Sequence, residues 1–435
     1  MDIQLKDERL SKRWGILVRS QMKSAAPLAA GVGALPGATR AVSAVQAAWR
    51  FYNNERVELR ELVVPLRELA RERLVASSAA FVLVAHDWCK LSYPGHRSRE
   101  DLATLSSEGD IGYELLTSLA TDAEQGAPLA PVEMHMKTKS GILSTRAPAP
   151  EDVPHLDQIL PTMQASAAWQ LGQPIVHVID REANSVGHYR AWDAAGHKVL
   201  IRADDRYVRW DGRELKLSAI RKEVLKQGAF RAAGAALYHG RQTRLEVAEV
   251  AVILDRPARK TIAKKKVDVP GPPLAMRLIL TRIVDADGQV LAQWFLLSNV
   301  SADWADTAHL ARCYYWRWRI ETFFKLLKSH GFQVEDWLQE TGSAIAKRLL
   351  VTSMATTTVW QLLADDSAPA QELQTVLVRL SGRPMKRKVP FTAPALLAGL
   401  WTLLAMLDTL ESYDLPTLKT LLTQVHLPIA LLKTG

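Results

Sequence analysis

Residues 314 to 328, YYWRWRIETFFKLLK, carry a polar line and an apolar face on one helix-length segment. Set at about 100° per residue, Tyr314, Arg317, Glu321 and Lys328 fall within a sector of roughly 60°. Beside them Trp316, Ile320, Phe323, Phe324 and Leu327 form a face suited to packing on a sheet, which leaves the polar line at the rim of the contact. One carboxylate is therefore flanked by a phenol, a guanidinium and an ammonium. The plain alternative is a solvated helix laced by the i,i+4 pair Glu321 and Lys325.

The composition narrows the choice. The chain has 435 residues, 48% of them hydrophobic, enough for about three domains with buried cores. A net charge of +9 points to an anionic partner. No run approaches a membrane span and the N-terminus lacks a signal-peptide core, so a soluble, cytoplasmic protein without membrane contact is expected. Cys89 and Cys313 are the only cysteines, too few for a disulfide framework or a zinc site, and buried thiols are expected for both.

Outward from the central stretch, residues 1 to 75 read as helices, with a Gly/Pro-rich break at Ala30 to Gly37. Arginines, lysines, Trp14, Trp49, Phe51 and Tyr52 recur among them, as on a small DNA-binding module or on a solvated helical cap. AAFVLVAHDW then reads as a buried strand ending on Asp87, and GYELLTSLATDAEQGAPLAPVEMHMKTKS as a hairpin turning near Asp122 to Gly126. Ile175 to Ile179 is a second buried strand, closed by Asp180, and KVLIRADDR a third, with Arg202 and Arg206 at its exit. Arg202 is placed to reach a phosphate. From Tyr207 to Asn299 short alternating strands follow one another, with a turn at Asp285 to Gly288 and a basic loop holding Lys264, Lys265 and Lys266. Beyond the central stretch come a buried helix and a Leu-rich helical tail that packs on the core or on another subunit.

Two aspartates at strand ends and a glutamate on a helix form the kind of oxygen set that holds two divalent cations for phosphoryl transfer. His86 and His177 lie near the two aspartates in sequence, where core histidines are the expectation.

These residues resemble a known family. Tyr314, Arg317, Glu321 and Lys328 resemble the Tyr-Arg-Glu-Lys signature of bacterial insertion-sequence DDE transposases of the insertion-sequence-four type. Asp180-Arg181-Glu182-Ala183 is similar to that family's second-aspartate motif, and Asp87 falls where its first aspartate belongs. Asn184, where relatives often have another aspartate, and Trp88-Cys89 after Asp87 depart from the pattern without touching an acid. The resemblance implies an α/β protein with a ribonuclease H-like mixed-sheet core interrupted by a β-rich insertion, and helical N- and C-terminal domains. Its segments would be a DNA-binding domain at 1–75, core at 76–206, insertion at 207–299, core with the Glu321 helix at 300–365, and a helical dimerisation region at 366–435.

The implied activity is metal-dependent cut-and-paste transposition, with end cleavage through a hairpin and strand transfer. Asp87, Asp180 and Glu321 would hold two Mg²⁺ ions, with Mn²⁺ as a substitute. Tyr314, Arg317 and Lys328 would grip phosphates, assisted by Arg202 and Lys325, and Trp294 would receive a base leaving the stack. The partners would be double-stranded DNA, as terminal inverted repeats and target, and a second subunit in a homodimeric synaptic complex. A silent DNA-binding repressor, a ribonuclease H-like nuclease and a metal-free carboxylate hydrolase are the competing readings.

Overall fold

The computed structural model describes residues 5–23, 38–96, 98–181, 185–262, 265–383 and 391–424. The Gly/Pro-rich break at Ala30 to Gly37, Glu182 to Asn184 of the second-aspartate motif, and Lys264 lie outside them. The chain forms two compact units, one of residues Val63–Phe324 and one of Met1–Leu62 with Lys325–Gly435.

A 13-stranded mixed sheet frames the Val63–Phe324 unit. Five consecutive strands lie in the order Pro128–Thr138, Ile111–Asp122, Val82–Ser92, Ile175–Ile179 and Lys198–Ala203. The first three are antiparallel, and the last two run parallel to Val82–Ser92. Val82 to Ala85 are all buried, as an apolar run in a central strand must be when both sheet faces are covered. One face is closed by a core in which Ile159, Met163, Tyr189 and Trp192 pack over Ile179, Val199 and Ile201.

The structure corrects the expected end of the first strand. Asp87 does not end its strand: pairing with Ile111–Asp122 continues to Ser92, because the hairpin strand is long enough to hold it. The β-rich stretch joins the same sheet: Val290–Ser298 pairs with Lys198–Ala203 and extends it through Leu274–Val284 and Arg241–Leu254. Within it, the helix Leu217–Lys226 and the strand Arg231–Tyr238 were not read from sequence, although Leu217, Ile220 and Val224 repeat at helical spacing and are buried. A separate two-stranded ribbon, Ala258–Ile262 with Lys265–Val269, exposes Lys265 and Lys266.

The other unit is helical. Gly342–Leu363 is its buried axis, against which Glu8–Lys23 and Ala393–Ser412 pack. Lys347 donates to the Asn54 carbonyl at 2.8 Å, tying the axis to the N-terminal helices. The helices of both chain ends thus share one unit, whereas Val64–Val75 belongs to the sheet unit, where Arg67 and Arg73 donate to the carbonyls of Val132 and Pro128. Against the expectation of no membrane-length run, Ala393–Ser412 is long and apolar enough to cross a bilayer, with 28% of its most apolar window buried. Length and composition alone also describe the core helix of a soluble protein.

The turn at Asp122 to Gly126 forms as expected and is fastened twice. Asp122 accepts from the backbone N–H groups of Glu124 and Gln125, and Gly126 adopts φ +70°. The Arg319 Nε donates to the Gly126 carbonyl at 2.8 Å, and the Trp316 ring covers the glycine. A Cβ at position 126 would lie 2.3 Å from that ring. Gly126→Ala therefore combines left-handed strain with overpacking. It should destabilise the sheet unit by about 2 kcal/mol or more, seen as a drop of several degrees in Tm. An unchanged melting curve would mean that the turn does not bear on the helix above it.

Candidate active site

The two aspartates meet because of register. The last parallel pair between their strands is His86 with Ile179, so Asp87 and Asp180 are the next residues in each, side by side at the carboxyl end of the parallel strands. The neighbouring pair Ile179 with Ile201 places Arg202 in the same row. Each aspartate spends one oxygen on the following backbone N–H: Trp88 donates to Asp87 Oδ1 at 2.9 Å and Arg181 to Asp180 Oδ1 at 2.7 Å. The second oxygens point to a common neighbour.

That neighbour is Arg317. Its Nη1 lies 3.2 Å from Asp87 Oδ2, and its Nη2 lies 3.1 Å from Asp180 Oδ2 and 2.6 Å from Glu321 Oε1. The guanidinium side chain is 3% exposed, while the three acids keep 20–29% exposure towards solvent. Burial alone would lower the Arg317 pKa, but Tyr314, Asp180, Asp87 and Glu321 around it drive it above its ordinary value. Three half-buried acids on one guanidinium leave a negative excess, which Arg202, 3.6 Å from Asp180, reduces only partly.

The segment Tyr314 to Lys328 is not one regular helix. Thr307–Trp316 and Trp318–Lys328 meet at Arg317, where Arg317 N–H donates to Tyr314 O and Ile320 N–H to Arg317 O. Such i,i+3 bonds tighten the turn and mark a joint. The Thr307–Trp316 helix is anchored at its start. Asp306 caps it through His309 N–H, Thr307 donates to Glu249 Oε2, and Arg277 links Glu249 to the carbonyls of Val300 and Ala305. Glu249 within the apolar run TRLEVAEVAVIL, and Asp306 before the helix, are the sequence signals for that anchor.

Of the other residues singled out from sequence, Tyr314 joins the cluster, donating to Asp180 Oδ1 at 3.0 Å. Burial pushes the Tyr314 phenol above its ordinary pKa, against the pull of Arg317. Trp294 is 8% exposed and packs at 6.0 Å from the Tyr314 ring, so it supports Tyr314 rather than offering an open stacking surface. Lys325 and Lys328 belong to the last turns of the helix, in the helical unit; Lys325 is exposed and Lys328 pairs with Glu335 at 2.9 Å.

The donor set fits hard divalent cations, since all three acids present carboxylate oxygens with some solvent access. Among the described residues, no three His, Cys, Asp or Glu side chains converge as a metal-holding group, and the Arg317 guanidinium lies among the acids.

Comparison with known proteins identifies the family. A family model described as a transposase DDE domain matches residues 134–357, just over half the chain, a span that includes Asp180 and Glu321 and begins after Asp87. No curated protein matches the chain. Seven chains of solved structures do. One is a piggyBac transposase synaptic complex with hairpin DNA, determined by cryo-EM, at 11% identity and a TM-score of 0.36, over 96% of this chain and 75% of that one.

Beneath the acids the sheet carries buried histidines. His86 and His177 face each other at 2.9 Å, and His86 meets Ser118 on its other nitrogen. Burial pushes the His86 pKa down to about 4 and that of His177 well below its ordinary value. Between pH 6.5 and about 4 the unfolded chain therefore binds more protons than the folded one at these positions, and stability falls as the pH drops through that window. The Tm should decline from pH 7 to pH 5, and His86→Gln should make the decline shallower. An equal slope in the variant would trace the pH dependence to other groups.

Proposed function

The chain belongs to the transposase DDE-domain family, and we propose that it is a cut-and-paste DNA transposase of the insertion-sequence-four type, using Asp87, Asp180 and Glu321 as its catalytic acids. The observation that carries this reading is the gathering of those three acids, from two strands and a helix, on one guanidinium. A ribonuclease H-like core is supported by the order of the five central strands, three antiparallel followed by two parallel.

Proteins of this family generally use divalent metal ions. When bound, a pair of Mg²⁺ or Mn²⁺ ions would polarise the phosphodiester and activate the attacking water or 3′-hydroxyl. The chain's own contribution is orientation. Backbone N–H groups fix one oxygen of each aspartate, which leaves the other to face the reacting centre. Tyr314, Arg317 and Arg202 supply donors beside the acids, suited to holding a phosphodiester in line for attack. Lys325 and Lys328, on the last turns of the Trp318–Lys328 helix, would add phosphate contacts. The basic N-terminal helices and the Lys265–Lys266 ribbon are suited to phosphate backbones, and the helices after residue 366 to assembly of a homodimer on paired ends. The substrates would be the terminal inverted repeats and target DNA, with a hairpin at the cleaved end.

The test is cleavage of a labelled duplex carrying the element's own terminal repeat, with Mg²⁺ or Mn²⁺ against chelator. Metal-dependent nicking at the repeat boundary is expected, and Glu321→Gln should reduce it by roughly 100-fold or more while repeat binding survives. A hairpin product would support the proposed pathway. Binding without cleavage under either metal would overturn the enzyme reading in favour of a repressor.

A further inference from the structure

We propose that Arg317 is an internal counter-cation that competes with divalent metal for the three acids, so that its withdrawal onto a DNA phosphate couples metal loading to DNA binding. The inference rests on the transposase reading above and adds to it an order of events.

Four features of the site lead there. The two terminal nitrogens of Arg317 engage oxygens from all three acids, at 2.6–3.2 Å. A cation that needs those oxygens at about 2.0–2.1 Å cannot share them with a guanidinium at that range, because both the space and the charge are already taken. Second, the fit of Arg317 is incomplete: its Nε is buried with no hydrogen-bond partner, a cost that a different seating of the side chain would relieve. Third, Arg317 sits at the joint between two helices, with i,i+3 bonds on both sides, where a small backbone change re-aims the side chain. Fourth, aromatic surface adjoins the guanidinium: the exposed Trp318 ring lies 5.5 Å from it and the buried Tyr314 ring 5.8 Å, and Trp318 can carry the cation as it moves.

A phosphodiester offers the guanidinium two oxygens in matched geometry, and thus an alternative to the carboxylates. Arg317 drawn to phosphate leaves the acids without their counter-charge, and their mutual repulsion then favours metal. The coupling is reciprocal: whatever factor DNA adds to metal affinity, metal adds to DNA affinity. Such a device keeps an enzyme that cuts DNA from loading metal away from its substrate.

Mn²⁺ binding to the full chain, followed by electron paramagnetic resonance or calorimetry without DNA, tests the idea. Arg317→Met should bind Mn²⁺ roughly tenfold or more tighter than wild type. Arg317→Lys, whose single ammonium cannot span all three acids, should fall between them. Adding Asp87→Asn to Arg317→Met should abolish the gain, which assigns it to this site. Repeat DNA should raise wild-type Mn²⁺ affinity more than that of Arg317→Met. If folded Arg317→Met binds Mn²⁺ no tighter than wild type, the competition is refuted; should that variant fail to fold, the same comparison with Arg317→Lys decides. A different outcome, no Asp87-dependent Mn²⁺ binding by wild type even with repeat DNA, would sink the metal-site reading itself and the coupling with it.

Discussion

Carboxylates brought together at a half-buried sheet edge repel one another, and Arg317 is the group that lets this chain gather three of them. With the side chain almost wholly buried and its terminal nitrogens shared among Asp87, Asp180 and Glu321, the guanidinium ties two strands to a helix across 230 residues of sequence. A pair of isolated surface charges contributes little to stability, but a buried cation left without any partner is costly, so Arg317 can leave these acids only for another anion. That one contact joins the helix to the row of aspartates.

The remainder of the sheet unit can be understood as the support for it. Parallel pairing that stops at His86 and Ile179 delivers the aspartates in one row, with Arg202 beside them. The strands beyond Ala203 widen the sheet, and their half-buried acid Glu249 holds both Arg277 and Thr307, which fixes where the Thr307–Trp316 helix begins. On the opposite side the hairpin turn at Gly126 receives Trp316 and Arg319, one residue before and two after Arg317. The joint is held from both directions while Arg317 itself carries an unsatisfied Nε. Rigid surroundings with one imperfectly seated cation are what a site needs if a single side chain is to move and the acids are to stay.

Behind the row of acids, His86, His177 and Ser118 form a buried polar line through an otherwise apolar sheet. Neutral imidazoles satisfy one another there without adding charge next to the carboxylates. Glu133, fully buried two strands away, is likewise matched by His135 and Trp169.

Much of this was legible in the sequence, for a definite reason. The spacing of Tyr314, Arg317 and Glu321, the apolar runs Val82 to Ala85 and Ile175 to Ile179, and the turns at Gly126 and Gly288 are local patterns, and the periodicity of one helix or strand determines which residues share its face. The family match over residues 134–357 agrees with what those patterns implied. Only the tertiary structure decided that Asp87 lies within a continuing strand, that Trp294 is buried behind Tyr314, that the β-rich stretch joins the main sheet, and that one arginine holds all three acids. Those facts depend on strand register and on which distant faces pack together. Neither is written in the repeat of any single element, because each is settled by contacts between segments far apart in the chain.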